Sequence, residues 1–316
     1  MQNYVYIETY GCSANKNNSE IIAGLLKQAG YEPTNNLNIA DILIINTCIV
    51  KTKTESKIKR RIQDLSKLYP KKLIIIAGCM PETDKHSLKT INPSLLLLGV
   101  HHIKDIVRFI RDYKEGKLTK EKSKEYLSAK NEEKLTGKIS SNKLISIIQI
   151  SEGCLGDCSY CKTRLAKGPL FSYDGNKILK SIESDLKSGA KEIWITSQDN
   201  ASYGLDKYDK KPMVPYLLKK ILNIKHNFKL RIGMMNPNHL YPILDEMIEI
   251  YKDKKVYKFL HIPIQSASDK ILDNMKRGYS INIAKEIITK FRKAFPDMTL
   301  ATDIIVGYPS ETEESH

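Results

Sequence analysis

Short apolar runs alternate with helix-like segments along most of this chain, and this alternation constrains the fold more than any other feature of the sequence. In the first hundred residues, the runs with the length and composition of strands are 5–9, 41–47, 73–77 and 95–98. Segments of helical periodicity accompany them at residues 19–29, 55–69 and 103–110. Continuously apolar strands are typical of parallel sheets that helices cover on both faces. The pattern predicts an open parallel α/β sheet.

The alternation resumes in the second half of the chain. Strand-like runs occur there at residues 144–150, 192–196, 229–233, 258–262 and 300–306, and helical segments include 176–188, 240–251 and 283–294. Repeated strand–helix units of this kind predict a parallel β/α barrel, partial because only five strands are visible.

A charged stretch poor in large apolar residues separates the two patterns. We therefore predict an amino-terminal domain at residues 1–111, a charged linker at 112–143 and a second α/β domain at 144–316. The second domain looks truncated, because the chain stops just after its fifth strand.

Three of the six cysteines are far apart in sequence, yet each follows a strand-like run. Cys12, Cys48 and Cys79 all stand just past the carboxyl ends of predicted strands. That edge of an open α/β sheet is where ligands bind, so distant residues converge there. A single cysteine at a strand end is usually a buried structural residue. Three at one edge, two of them beside Gly11 and Gly78, favour a cluster site.

The other three cysteines stand close together after the first barrel strand. Cys154, Cys158 and Cys161 have the spacing C-x3-C-x2-C in a loop that contains glycine. Zinc prefers a second C-x2-C pair or histidines at short spacing, and the sequence near this motif has neither. Thiolates at this spacing are typical of an iron–sulfur cluster. If each trio holds a four-iron cluster, each cluster has one iron without a cysteine ligand.

The C-x3-C-x2-C motif after a barrel strand resembles the radical S-adenosylmethionine superfamily. The resemblance implies a radical-SAM barrel whose open iron binds the methionine group of S-adenosylmethionine and whose chemistry releases a 5′-deoxyadenosyl radical. It also implies that Tyr160 lies beside the adenine. Further candidates for the cofactor site are Gln198, Asp199, Gln265, Ser266, Arg277 and Gly307. Ordinary roles as turns, caps or solvated charges remain the alternatives for them.

Six blocks in order, at residues 8–12, 46–48, 77–81, 261–268, 275–277 and 302–312, resemble the methylthiotransferases. Residues 152–164, 192–199 and 230–237 are most similar to the archaeal and eukaryotic branch. This resemblance implies a second, auxiliary 4Fe–4S cluster on Cys12, Cys48 and Cys79. It also implies conversion of N6-threonylcarbamoyladenosine at position 37 of tRNA to its 2-methylthio form.

The excess of basic residues favours a polyanionic partner. The formal net charge is +15 at pH 7, and phosphate contacts gain affinity from counterion release. Candidate phosphate contacts are Lys57, Lys59, Arg60 and Arg61 on one helix, and Lys162, Arg164 and Lys167 beside the cysteine motif. Solvated helix faces are the alternative for such runs.

The family resemblance and the composition together predict the setting in which the protein works. We expect no membrane contact, because no apolar run reaches membrane-spanning length. The first residues lack the pattern of a signal peptide, so we expect a cytoplasmic protein, and we expect it to be a monomer. Its partners are the tRNA anticodon stem-loop, a reductant protein and a sulfur donor, the last two unidentified. The family's sixth barrel strand and its RNA-binding TRAM domain are not present in these 316 residues.

Two other functions remain open. The same chemistry on isopentenyladenosine tRNA or on an aspartate of a ribosomal protein is one, and a non-catalytic metal-binding and RNA-binding protein is the other.

Overall fold

The computed structural model describes residues 3–135 and 137–315, which form two compact units. The first unit contains the described residues up to Ser141 together with Lys162–Gly168. The second contains Asn142–Cys161 and the described residues from Pro169 onward.

The first unit is built on a five-stranded parallel sheet. Its strands are β1 (Asn3–Thr9), β2 (Tyr31–Pro33), β3 (Ile42–Thr47), β4 (Leu73–Gly78) and β5 (Leu96–Gly99). They lie in the order β2-β1-β3-β4-β5, and each neighbouring pair is parallel. This sheet confirms the predicted open parallel α/β architecture. The short edge strand β2 was not predicted, because three residues that include Pro33 form no apolar run.

Helices cover both faces of this sheet. They are α1 (Ser13–Gln28), α2 (Thr52–Leu68), α3 (Met80–Thr83), α4 (Lys85–Ile91), α5 (Ile106–Lys114), α6 (Lys120–Glu125) and α7 (Lys162–Lys167). Successive residues of β3 enter opposite cores, since side chains alternate along a strand. Leu43 packs in the core that contains Ile58 and Ile62 of α2, whereas Ile44 packs in the core that contains Ile21 of α1.

Helix α1 begins six residues before the predicted start at residue 19. Its first turns bury Asn15, Asn17 and Asn18, which are polar and hide the helical periodicity. Ser19, the first residue of the predicted helix, is therefore an interior residue of α1. Its hydroxyl accepts hydrogen bonds from Thr9 Oγ1 at 2.7 Å and from the side-chain amide of Asn46 in β3 at 2.9 Å.

Part of the charged segment 112–143 packs against the first unit. Tyr126 is fully buried, and its hydroxyl donates to Asp112 at 2.6 Å. Asp105, just before α5, is a second anchor for the segment. Burial alone would raise the pKa of Asp105, but hydrogen bonds from His102 and from Lys130 of the segment lower it to about 2.

The second unit consists of shorter sheets. Its strands are β6 (Ile145–Gln149), β7 (Ser151–Glu152), β8 (Phe171–Ser172), β9 (Glu192–Thr196), β10 (Lys229–Ile232), β11 (Phe259–His261) and β12 (Thr299–Ala301). Parallel pairing gives the orders β10-β9-β6 and β11-β12, and a parallel bridge from Leu230 to Val256 connects β10 to the segment before β11. The remaining pair, β7 and β8, is antiparallel. The five predicted barrel strands are thus all present.

Helices accompany these strands: α8 (Gly175–Lys187), α9 (Val214–Leu222), α10 (Pro237–Leu240), α11 (Leu244–Tyr251), α12 (Asp269–Asn274) and α13 (Ile281–Ala294). The predicted helix 240–251 is interrupted by a short 3₁₀ turn that contains Pro242, because proline lacks the N–H that a continuous helix needs. The predicted strand 300–306 is shortened to β12, followed by a single bridge between Gln265 and Ile304. Among the described residues, no helix is both long and apolar enough to cross a membrane.

Candidate cluster and cofactor sites

The three dispersed cysteines follow three adjacent strands of the first sheet. Cys48 comes directly after β3, Cys79 directly after β4, and Cys12 three residues after β1. Strand β3 lies between the other two, and neighbouring strands are about 4.8 Å apart. The backbone N–H of Cys79 donates to Thr47 O at 3.2 Å. The sheet therefore brings the three thiols to one edge, as the sequence predicted; Cys12 is exposed and the other two are buried.

Two glycines make room at this edge. Gly11 has φ +102°, and a Cβ placed on it would lie 2.5 Å from Cys48 Cβ and 2.6 Å from its Sγ. Gly78 has φ +92°, and its Cβ would lie 2.7 Å from Thr47 O. Both values of φ strain residues that have a side chain. Glycine at these positions thus permits the turn and the close approach of the cysteine loops.

Buried amides fix the backbone of the cysteine loops. Asn15 Nδ2 donates to Tyr10 O at 2.9 Å and to Thr47 O at 2.6 Å. Asn46 Nδ2 donates to Asn15 O at 2.8 Å and to Ser19 Oγ at 2.9 Å. The Oδ1 atoms of both asparagines are buried and have no hydrogen-bond partner among the described residues. These acceptors, with three thiols beside them, suit a bound polar group.

Two of the four basic residues predicted on α2 are held by carboxylates. Arg61 donates to Glu8 with contacts of 3.0 Å from both Nε and Nη2, and Lys59 pairs with Asp84 at 2.5 Å. Such paired charges are less available to phosphates. The other two predicted residues, Lys57 and Arg60, are exposed. Near the second motif, Lys167 is only 2% exposed, so its predicted role as a phosphate contact is wrong.

The second cysteine trio lies in the loop that follows β7. Gly156 N donates to Cys154 Sγ at 3.2 Å, and a Cβ on Gly156 would lie 3.4 Å from Cys154 Sγ and 3.6 Å from Cys158 Sγ. Burial raises the pKa of Cys154 to about 11, and Asp199 and the two other cysteines of the trio contribute. A cation at this loop would stabilise the thiolates.

Neither cysteine trio is arranged around a single metal ion in the residues that the structure describes. In the described part of the chain, no three His, Cys, Asp or Glu side chains are grouped closely enough to hold a single ion. Cluster ligands need not be so close, because each cysteine binds its own iron. The donor set fits an iron–sulfur cluster better than mononuclear zinc.

Gln198 and Asp199 follow β9 but differ in their contacts. Asp199 Oδ1 accepts from Ala201 N at 3.1 Å and from Asn236 N at 3.0 Å, and Oδ2 contacts His239 Nδ1 at 2.5 Å. Its carboxylate is thus occupied within the protein. Gln198 Oε1 is buried without a partner in the described chain, and it remains available to a ligand.

Other buried polar atoms near the ends of β6 and β9 also have no partner among the residues described. They are Gln149 Oε1, Ser151 Oγ, Ser197 Oγ and Asn200 Oδ1. Unsatisfied buried groups of this kind are rare in proteins and mark places where a ligand or water binds. These groups therefore fit a bound polar ligand at the ends of β6 and β9.

The remaining predicted cofactor residues lie after β11 and β12. Gln265 is 9% exposed and has φ +68°, a strained value for a residue other than glycine. Ser266 is buried, and its Oγ accepts from Ser268 N at 3.1 Å. Gly307 has φ +74° with open space around its Cα, so a ligand can approach its backbone. Strain of this kind often occurs at functional sites.

Tyr160 and Arg277 contact one another across 117 residues of sequence. Arg277 Nη1 donates to Tyr160 Oη at 3.2 Å and lies 3.4 Å from Cys158 Sγ. Burial raises the pKa of Tyr160 above its usual value. The sequence motif did not indicate the contact with the cysteine, because nothing in the spacing specifies which way a distant arginine points.

Comparison with known proteins identifies two family regions. Residues 4–99 match the family described as "Uncharacterized protein family UPF0004", and residues 148–316 match the radical SAM superfamily. A radical S-adenosylmethionine methyltransferase, TsrM, from Kitasatospora setae, solved with cobalamin and a 4Fe–4S cluster, has the same fold. The TM-score is 0.70 at 12% identity, covering 100% of this chain and 71% of that one.

Closer relatives share the sequence over nearly the whole chain. A protein of Methanothermobacter thermautotrophicus named "Probable threonylcarbamoyladenosine tRNA methylthiotransferase" is 41% identical over 98% of this chain and 71% of its own length. The human threonylcarbamoyladenosine tRNA methylthiotransferase is 36% identical over 98% of this chain, which spans 53% of the human protein. The chain therefore belongs to the radical S-adenosylmethionine methylthiotransferases, in the threonylcarbamoyladenosine tRNA branch found in archaea and eukaryotes.

Proposed function

We propose that this protein converts N6-threonylcarbamoyladenosine at position 37 of tRNA to its 2-methylthio derivative, using S-adenosylmethionine and two 4Fe–4S clusters. The observation that carries the proposal is the convergence of the three dispersed cysteines, Cys12, Cys48 and Cys79, after three adjacent strands, in addition to the C-x3-C-x2-C loop. A radical enzyme with one cluster needs only the loop. The names of the relatives supply the nucleoside and the tRNA.

In this proposal the two cysteine sites have different chemical roles. When bound, the cofactors supply a 5′-deoxyadenosyl radical at the loop and sulfur at the sheet edge. Cys154, Cys158 and Cys161 hold the first cluster, and Cys12, Cys48 and Cys79 hold the auxiliary one. Both leave one iron free of protein ligands.

The residues around the loop bind S-adenosylmethionine. Gln198 offers a free buried acceptor to its amino group, and Tyr160 packs beside the adenine. Asp199 acts indirectly, because its carboxylate holds the backbone that follows β9 and β10. Gln265 and Ser266 follow β11, and Gly307 follows β12. Their backbone and hydroxyl groups contact the ribose and the adenine. Arg277, which adjoins the loop through Cys158, is a further candidate for the methionine carboxylate.

The proposal is tested with the full chain, reconstituted anaerobically with iron and sulfide. We expect about eight iron atoms per chain, formation of 5′-deoxyadenosine, and a 2-methylthio product when the tRNA carries threonylcarbamoyladenosine. Nucleoside mass spectrometry detects the product. A product from isopentenyladenosine tRNA, or from a ribosomal protein instead, would replace this assignment by one of the related substrates.

Two matched variants separate the sites. Cys12→Ala removes an exposed thiol and leaves the second unit untouched, so 5′-deoxyadenosine should still form while the methylthio product is lost. Cys154→Ala should abolish both. If stoichiometric zinc is bound and no S-adenosylmethionine is cleaved, the enzyme proposal fails in favour of a metal-binding RNA-binding protein.

A further inference from the structure

The buried guanidinium of Arg277 connects the second cysteine trio to the rest of its unit. Arg277 is 6% exposed. Its Nη2 donates to Pro263 O at 2.8 Å, its Nε lies 3.4 Å from Tyr279 Oη, and its Nη1 lies 3.4 Å from Cys158 Sγ. The Tyr279 hydroxyl in turn donates to Ile264 O at 2.7 Å. Two of the three guanidinium nitrogens, Nη2 and Nε, are thus held by the protein. The third, Nη1, therefore faces the cysteine loop.

A fixed cation beside a ligand sulfur changes the electronic properties of any cluster bound there. Reduction adds negative charge that is shared with the cysteine sulfurs, and a charge-assisted N–H···S contact stabilises that charge. Hydrogen bonds to the sulfurs and solvent exposure are among the determinants of iron–sulfur potentials. Because Arg277 is buried, its effect is screened less than that of a surface charge.

We propose that Arg277 is a positioning residue that sets the reduction potential of the radical-generating cluster through its contact with Cys158. This inference rests on the proposed function, because it requires a 4Fe–4S cluster on the trio. It is separate from any contact between Arg277 and S-adenosylmethionine. The cluster without Arg277 accepts an electron less readily, and radical formation then needs a stronger reductant.

The test is a redox titration of the full reconstituted chain, followed by electron paramagnetic resonance. The signal of the radical cluster is recognised because it changes when S-adenosylmethionine is added. In Arg277→Gln, we expect the equilibrium constant for one-electron reduction to fall at least tenfold, which is about 59 mV toward more negative potential. Arg277→Lys should shift the midpoint potential in the same direction but by less, since lysine keeps the positive charge but lacks the planar guanidinium group.

One control variant addresses a merely structural role. Arg231→Gln removes a half-buried arginine of the same unit, whose guanidinium lies over the rings of Trp194 and Phe259 instead of beside a cysteine. It should titrate within a factor of two of the wild-type reduction constant.

The outcomes are distinct. If Arg277→Gln and Arg277→Lys both keep the wild-type midpoint, the inference is wrong. If Arg277→Gln takes up no iron, the midpoint potential of Arg277→Lys is the test. A wild-type midpoint in Arg277→Lys overturns the inference, and a shift to more negative potential supports it. A wild-type chain without a 4Fe–4S signal would instead refute the proposed function.

Discussion

Replacing Gly11 with alanine should remove the auxiliary cluster and leave the radical cluster intact. Gly11 has φ +102°, and the new methyl group would lie 2.5 Å from Cys48 Cβ. Carbon atoms that are not bonded to each other need about 3.5–4.0 Å. Cys48 therefore has to move by about 1 Å, whereas metal ligands tolerate about 0.2 Å. The displacement is several times what a cluster ligand can absorb.

Gly30→Ala is the matched control, because it has the strain without the contact. Gly30 has φ +87°, and nothing lies within 4 Å of the added methyl group. Alanine at either position costs about 1–3 kcal/mol of unfolding free energy from backbone strain. Urea unfolding of the two apo proteins should therefore show a loss in both, and Gly11→Ala should lose about 1–3 kcal/mol more because of the clash with Cys48. Only Gly11→Ala should also lose the cluster.

Iron analysis and product assays measure the difference. We expect about eight iron atoms per chain for Gly30→Ala and about four for Gly11→Ala. Gly11→Ala should still form 5′-deoxyadenosine from S-adenosylmethionine but no methylthio product. Equal iron contents in the two variants would refute the reasoning from close approach, even if both were destabilised.

Three further perturbations test the charges and polar groups. Lys57→Gln combined with Arg60→Gln should reduce the slope of log K for tRNA against log salt by about 1–2, measured by filter binding at several salt concentrations. The pKa of Asp105 is about 2 when folded, below its ordinary value of 3.8, so its stabilisation, about 1 kcal/mol after solvent screening, is present above about pH 4 and lost toward about pH 2. Urea unfolding should show that loss in the wild type and not in Asp105→Asn. Asp199→Ala should lower the unfolding free energy by about 3 kcal/mol, whereas Gln198→Ala should change it by less than about 1 kcal/mol and weaken S-adenosylmethionine binding about tenfold in calorimetry.

The sequence predicted the strands better than the helices that begin beside the sites. Strands β3 and β4 are continuous apolar runs, and their ends place Cys48 and Cys79 without further information. Helix α1 was predicted to start late, because Asn15 and Asn18 are polar residues that are buried there. Burial of amides is a tertiary property, and hydrophobic periodicity does not report it.

Contacts between side chains distant in sequence could not be predicted. The pairing of Asp199 with His239 and that of Arg277 with Cys158 join residues 40 and 119 positions apart. Residue type limits what each group can bind, but the rotamer and the neighbouring strand decide what it does bind. The sequence therefore identified candidates for the cofactor site and left their individual roles open.

The structure separates these candidates by whether their hydrogen-bonding groups are already used. The Asp199 carboxylate is fully engaged by backbone and histidine, so a ligand would have to displace bonds that hold the loop. Gln198 and Ser197, one and two residues earlier, have buried atoms without partners in the described residues. A buried unpaired acceptor costs about 1–3 kcal/mol, and a bound ligand recovers that cost. The unpaired groups are therefore better candidates for cofactor contacts than the charged residue beside them, although charge alone would favour the aspartate.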